Sequence, residues 1–389
     1  MPVRSPCDTH IGRPSYGDPQ SHVSGFALCL YYNADSGRVK TGCLGSLISR
    51  PLHTVKPEGV CIMCTAITYK TKDHYFGRNL DLEYSYKETV TITPRNYVFH
   101  FRKMDKMKCH FAMIGMAYIL EGYPLYYDAV NEKGLSAAGL NFPQNADYKP
   151  YCDGKDNVTP FELIPWILGQ CATVSEAENL LKRMNLLNEN FSEELPLTPL
   201  HWIISDRERS ITLESIKTGI RVYDNPVGVL TNNPTFDYHM FHLNNYMRLT
   251  NGEPENTFAG KKGALELKPY SRGMGAIGLP GDASSMSRFV RATFVKMNSV
   301  SGNSEVESVS QFFHILKSVE MQRGCVQLGK ELYDITIYSS CCNTDRGIYY
   351  YAAYDNSRIY AVDMYKENLQ GSTLIGYPLK KDQTIEYQN

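Results

Sequence analysis

Net charge, long hydrophobic runs and tryptophan are all scarce in this chain. Its 389 residues carry 40 Lys+Arg against 41 Asp+Glu, a formal net charge of −1. That balance gives no electrostatic case for nucleic acid or an anionic membrane as partner. No apolar run approaches the roughly 18–20 residues that a membrane helix requires; the longest, Phe26 to Tyr32, is too short, and no clean cleavage signal follows it. What is present is 42% hydrophobic, 12% aromatic and 21% charged residues, which excludes wholesale disorder and predicts a globular core.

The cysteines, at 7, 29, 43, 61, 64, 109, 152, 171, 325, 341 and 342, form no disulfide framework, because the count is odd and the spacing irregular. The one CxxC, Cys61 to Cys64, has neither a second pair nor an HxxxH partner, so no zinc site is expected. Most of these thiols read as buried and reduced, which together with the lack of a signal segment makes a cytoplasmic location the expectation.

The chain changes character near residue 63. Residues 1–62 hold 6 Pro and 7 Gly, and the remaining 327 residues hold 14 Pro and 22 Gly. The first segment is thus about twice as rich in breakers and shows no sustained period of 2 or 3.6. We expect residues 1–63 to stand outside the fold as a disordered leader (a propeptide or an over-extended start site), and 64–389 to form one domain.

From Cys64 onward, alternation predicts strands at 64–70, 74–80, 88–93, 97–102, 126–130 and 134–140. Helices are predicted at 160–171 and 173–184, the second with a Thr173/Glu176 capping box. Strands return at 200–205, 210–217 and 227–231. Helices follow at 235–249, 285–298 and 304–321, the last capped by Ser304 and Glu307 and burying Val306, Val309, Phe313 and Leu316. Three strands close the chain, at 332–340, 347–354 and 358–364. Without strict alternation of strand and helix, this order favours α+β layers on largely antiparallel sheets over a doubly wound parallel sheet.

Two motifs are discounted. Gly273 to Gly278 matches GxGxxG, but it follows no convincing strand, and Leu279-Pro280-Gly281 stands where a helix should begin; it reads as a loop. The sequons at Asn157 and Asn190 matter only in a secreted protein. His201, His239, His242 and His314 have no acid at triad-like spacing and default to core or surface.

Met63-Cys64 is different. A small residue after Met favours Met removal, so translation starting at Met63 would leave Cys64 with a free α-amine. That amine, with a pKa of about 7.7–8.0, can serve as base towards its own thiol. Phe76-Gly-Arg78-Asn-Leu-Asp81 then brings a guanidinium and a carboxylate onto the adjoining strand of a hairpin. The guanidinium would favour thiolate and the carboxylate could orient the amine; spacing alone equally allows an ordinary Arg–Asp surface pair.

These blocks resemble the choloylglycine hydrolase family, which contains bile salt hydrolases and penicillin V acylases. The resemblance runs from Met63-Cys64-Thr-Ala-Ile-Thr-Tyr and Tyr75–Asp81 through Asn131-Glu-Lys-Gly-Leu, Ala138–Pro143, Leu200-His-Trp-Ile, Gly228–Asp237 and Gly278–Asp282 to Ser287-Arg288-Phe289. It implies a four-layer αββα N-terminal-nucleophile (Ntn) hydrolase fold with two stacked, largely antiparallel sheets. It implies an amidase with Cys64 as nucleophile and its α-amine as base. Arg78 and Asp81 would tune that pair, Asn141 and Asn232 would form the oxyanion hole, and Arg288 would complete the polar site. Leu80, Leu120 and Tyr127 occupy family positions near the substrate pocket, where core packing is an equal reading. Asn141, where penicillin V acylases carry Tyr, points to conjugated bile salts as substrate. No metal or cofactor is implied. The 188–199 segment sits where relatives carry an exposed loop used in tetramer assembly, so a homotetramer is expected. Two alternatives stay open: a penicillin V acylase or other N-acyl amidase of the same fold, and an inactive ligand-binding relative if the leader stays attached.

Overall fold

The computed structural model describes residues 63–193, 195–258 and 265–389. The leader expected at 1–63 therefore lies, Met63 apart, outside the described residues.

The first half builds strands β1 (Cys64–Lys70), β2 (His74–Leu82), β3 (Thr89–Thr93), β4 (Met113–Leu120), β5 (Tyr123–Asn131), β6 (Ser136–Asn141), β7 (Asp156–Val158) and β8 (Met184–Leu186). Helices α1 (Leu163–Leu168) and α2 (Val174–Leu181) fall between the last two. The second half adds β9 (Leu200–Ser205), β10 (Ser210–Ile216), β11 (Gly219–Asp224), β12 (Val229–Leu230), α3 (Phe236–His242), α4 (Ser285–Asn298) and α5 (Glu305–Lys317). It ends with β13 (Gln327–Gly329), β14 (Leu332–Tyr333), β15 (Ile335–Asn343), β16 (Ile348–Ala353), β17 (Asn356–Asp363) and β18 (Ile375–Pro378).

Two large sheets result, ordered β12-β1-β2-β15-β16-β17 and β11-β10-β9-β6-β5-β4-β3-β18. Every pairing within them is antiparallel. The sheets stack face to face, and α4 and α5 cover the six-stranded sheet while α1 and α2 cover the eight-stranded one. This is the α+β, αββα arrangement that the resemblance implied. The central strands are buried on both faces: all nine residues of β2 and of β15 are buried. Side chains on both faces of these strands are therefore covered, so polar residues such as Arg78, Asn79 and Asp81 are buried with the apolar ones. Gly77 is demanded by this packing, since a Cβ there would lie 2.0 Å from the Ser340 carbonyl oxygen on the neighbouring strand.

Several expectations need correction. Residues 97–102 are not a strand but an irregular stretch with one isolated bridge, Phe99 to Met107. The long helix at 235–249 stops at His242 and continues as a 3₁₀ turn to Tyr246. At α2 the Thr173 side chain accepts from Glu176 N–H as predicted, but the Glu176 carboxylate takes the Ala172 N–H, so the box is only half closed. The α5 box between Ser304 and Glu307 is complete, although Val306 faces solvent.

Candidate functional site

The pleat of the six-stranded sheet sorts the candidate residues onto two faces. Cys64 opens β1 and pairs with Leu80 of β2, while Ala66 pairs with Arg78. Cross-strand partners share a face, so Cys64, Arg78, Leu80 and Leu82 look towards the second sheet. Arg78 confirms that direction, because its guanidinium donates to the carbonyls of Tyr127 (3.0 Å) and Gly139 on the second sheet. The alternate residues Thr65, Asn79 and Asp81 look towards the helices, and the Asn79 amide donates to the Leu316 carbonyl of α5.

Four candidates meet at the start of β1. Cys64 N–H donates to Asn232 Oδ1 at 2.9 Å. Arg288, from α4, donates to the Cys64 carbonyl, to Thr65 Oγ1 (2.7 Å) and to Asn232 Oδ1 (2.7 Å). Asn232 in turn donates from its amide nitrogen to the Asn141 carbonyl at 2.8 Å, which ties the two asparagines across the sheets. Asp81 N–H donates to the Met63 carbonyl at 3.1 Å. The Met63–Cys64 peptide is thus gripped on both sides, its carbonyl by β2 and its N–H by Asn232. All six candidate polar residues are buried.

Burial sets the electrostatics. It pushes the Cys64 thiol up, and Arg78 pulls it back most strongly, with smaller help from Arg288. Asp81 is also raised by burial, against the pull of Arg288 and a hydrogen bond from Thr336 Oγ1 at 2.6 Å.

On the inter-sheet face, the thiol looks onto a cavity with an empty volume of about 910 Å³, including its mouth. Its walls include Leu80, Leu82, Tyr118, Tyr127, Trp202 and, from the 188–199 loop, Leu195.

Residues 64–377 match the family described as linear amide C-N hydrolases, choloylglycine hydrolase family. The chain belongs to that family. It is 57% identical to a bile salt hydrolase/transferase of Lactiplantibacillus plantarum over 82% of this chain and 98% of that protein. It is 40% identical to a bile salt hydrolase/transferase of Clostridium perfringens over 84% of this chain and all of that one. A crystal structure of a variant of the conjugated bile acid hydrolase of C. perfringens superposes with a TM-score of 0.77 at 38% identity, covering 84% and 100% of the two chains. Penicillin V acylase of Agrobacterium tumefaciens shares the fold, with a TM-score of 0.64 at 18% identity, covering 81% and 90%. The chain is therefore a linear amide C-N hydrolase with the Ntn fold of its family.

For this choloylglycine hydrolase family member, the sequence reading missed part of the cavity wall. Leu82 lies two residues beyond Leu80 on the same face of β2, so the strand period alone would have found it. Tyr118, Phe161 and Trp202 gave no local signal. Leu120, half-buried at the end of β4, is not among the residues that line the cavity. Leu80, Tyr127 and Asn141 do line it.

The 188–199 loop is a second correction. Rather than standing wholly exposed, it turns Phe191 and residues 195–198 towards the cavity. Phe191 packs against Phe161 at 5.1 Å between ring centroids, with the Arg102 guanidinium 5.1 Å from its own ring centre. Apolar side chains in a loop need a buried partner, and the cavity supplies it. His201 also has an acid after all: its Nδ1 lies 3.2 Å from Glu214 Oε1, a pairing across the β9–β10 hairpin that local spacing did not reveal. With Nε2 on the Thr231 carbonyl, it braces the approach to Asn232 rather than the thiol. The Gly273–Gly278 stretch is a 3₁₀ turn and loop, as expected. Among the described residues no cluster of His, Cys, Asp and Glu could hold a metal, and no helix is long and apolar enough to cross a membrane.

Proposed function

We propose that this protein hydrolyses the amide bond of glycine- or taurine-conjugated bile salts through Cys64. The observation that carries the reading is the placement of a buried thiol, flanked by Arg78, in the wall of a largely apolar cavity suited in character to a hydrophobic acyl group. The names of its relatives, bile salt hydrolase/transferase and conjugated bile acid hydrolase, support the substrate class.

The reading requires a chain that begins at Cys64. Its α-amine then stands where the peptide N–H now donates to Asn232 Oδ1. The amine takes the thiol proton as Sγ attacks the amide carbonyl. An asparagine amide has two N–H donors, and Asn232 spends one on Asn141; the other, with a donor from Asn141, would receive the oxyanion. The C–N bond breaks, the proton passes to the departing glycine or taurine nitrogen, and a thioester remains. Water, deprotonated by the same amine, releases the bile acid. An amine in place of water would give transfer rather than hydrolysis, in keeping with the relatives' double names. Arg288 holds the Cys64 carbonyl and Asn232 in register throughout. Tetramer assembly through the 188–199 loop belongs to the same reading, with residues 191 and 195–198 given to the pocket wall.

Release of free bile acid from glycocholate and taurocholate, measured beside penicillin V, tests this. The expected result is much faster turnover of the bile salts, complete inhibition by iodoacetamide and a product chain starting at Cys64. Faster turnover of penicillin V would assign the alternative acylase. Bile salt binding without turnover, in a chain that retains its leader, would make the protein an inactive relative.

A further inference from the structure

The helix-facing side of the site contains a carboxyl group that the chemistry above does not use. Asp334 lies just ahead of β15, is fully buried, and among the described residues neither of its carboxylate oxygens has a hydrogen-bond partner. A buried carboxyl left without partners is costly, so its retention needs a reason. The register of β15 on β2 pairs Ile335 with Leu82 and Thr336 with Asp81. Asp334 and Thr336 therefore share the face of Asp81. The Thr336 hydroxyl accepts from Met321 N–H at 2.8 Å, so its single proton goes to Asp81 Oδ1. Asp81 Oδ2, like Asp334, is left without a hydrogen-bond partner among the described residues.

Burial is the largest cause raising each carboxyl group, the Asp81 charge adds to the rise at Asp334, and Arg288 is the main opposing charge for both. The Met63 N–H is turned towards Asp334 and favours its ionised form without closing a hydrogen bond. With Met63 attached, then, two acids and too few cations share one dry corner. Consecutive backbone nitrogens are at most about 3.6 Å apart. The Cys64 nitrogen thus lies within one water's reach of the Asp334 carboxyl once the Met63 backbone has left. Met63 is only half-buried, so its departure opens that space to solvent.

We propose that Asp334 is a positioning residue for the freed α-amine of Cys64, accepting its hydrogen bond through a water that fills the space vacated by Met63. The ammonium form supplies the positive charge that the Asp81–Asp334 pair lacks, and the carboxylate steers the amine away from the strand end and towards its own thiol. This rests on the reading of Cys64 as an N-terminal nucleophile. The charged groups facing this corner are Asp81 and Glu83 from β2, Arg288 from α4, Glu320 beyond α5, and Arg78 with the Cys64 thiol across the strand. All remain in place when Asp334 alone is changed.

The sign follows directly. A carboxylate beside an ammonium raises the amine pKa, and the base must be neutral to work, so Asp334 sets the acid limb of activity higher than it would otherwise lie. In protein expressed from the full reading frame, with its N-terminus read by intact mass, Asp334→Asn should move the acid limb of kcat/KM for glycocholate down by about one pH unit or more. Asp334→Glu keeps the charge and should leave the limb where the unaltered protein has it, whatever its kcat. A merely structural role would lower kcat alike at every pH. An unmoved limb in a matured Asp334→Asn protein overturns the inference while leaving the amidase reading intact. If Asp334→Asn does not accumulate folded, a displaced limb in Asp334→Glu overturns it instead. An unaltered protein that begins upstream of Cys64, or that keeps hydrolysing after Cys64→Ala, overturns the amidase reading and this inference with it.

Discussion

The two faces of strand β2 divide the labour of this site. On one face, Arg78, Leu80 and Leu82 look into an apolar cavity between the sheets; on the other, Asn79 and Asp81 look into a polar layer closed by Thr336, Arg288 and the ends of α4 and α5. Cys64 spans the divide, its thiol on the cavity side and its backbone nitrogen held by Asn232. The difference teaches why a two-residue period suits such a site: one strand places cavity-lining side chains and a buried polar layer about 3.3 Å apart along the chain yet on opposite sides of a sheet. Mutations on the cavity face should alter substrate affinity and thiol reactivity, and those on the helix face should alter the proton inventory of the N-terminus.

The largest expected effect removes the group that spans both faces. Cys64→Ala should lower kcat by at least about 10⁴-fold, as loss of a nucleophile does elsewhere, with far-UV circular dichroism unchanged. Asn232→Ala should cost about 10²–10³ in kcat, the usual loss for one oxyanion donor; steady-state kinetics on taurocholate would show it, and a change confined to KM would place Asn232 outside the chemistry.

Arg78→Leu sharpens the comparison from the cavity side. Arg78 is the chief group pulling the thiol pKa down against burial. Without it the thiol ionises at higher pH, so iodoacetamide should react roughly ten- to a hundredfold more slowly at pH 7 and recover as pH rises. Slowing that does not recover with pH would mean that the guanidinium acts by packing alone.

Much of the fold was legible because the helices carry their own signals. Ser285–Asn298 was read to its ends, and Ser304 with Glu307 marked the start of α5. Strand β4 was missed: Met113–Leu120 is almost wholly apolar and lacks alternation, since the middle of the eight-stranded sheet is covered on both faces. For the site, Met63-Cys64 and Arg78–Asp81 raised the chemistry from local pattern. Asn141, Asn232 and Arg288 came from resemblance alone, since they stand 77, 168 and 224 residues beyond Cys64, Asn232 and Arg288 bonding to it directly and Asn141 joining them through Asn232. Asp334 and His201 escaped for the same reason: their roles depend on partners brought near by strand register, which a linear reading does not contain.

Two smaller effects mark the limits of the comparison. Leu82→Ala widens the cavity without touching the polar layer, so KM for glycocholate should rise about tenfold with kcat nearly unchanged. Ser304→Ala, far from both faces, should cost about 1 kcal/mol in a denaturant melt and leave both constants alone.

The most direct test of the account is the mass of the N-terminal peptide after acid quench during turnover of glycocholate. A peptide that begins at Cys64 and carries the added mass of the cholyl group is the expected result. A peptide that begins upstream, or that begins at Cys64 but never carries the acyl group while substrate is consumed, would contradict it.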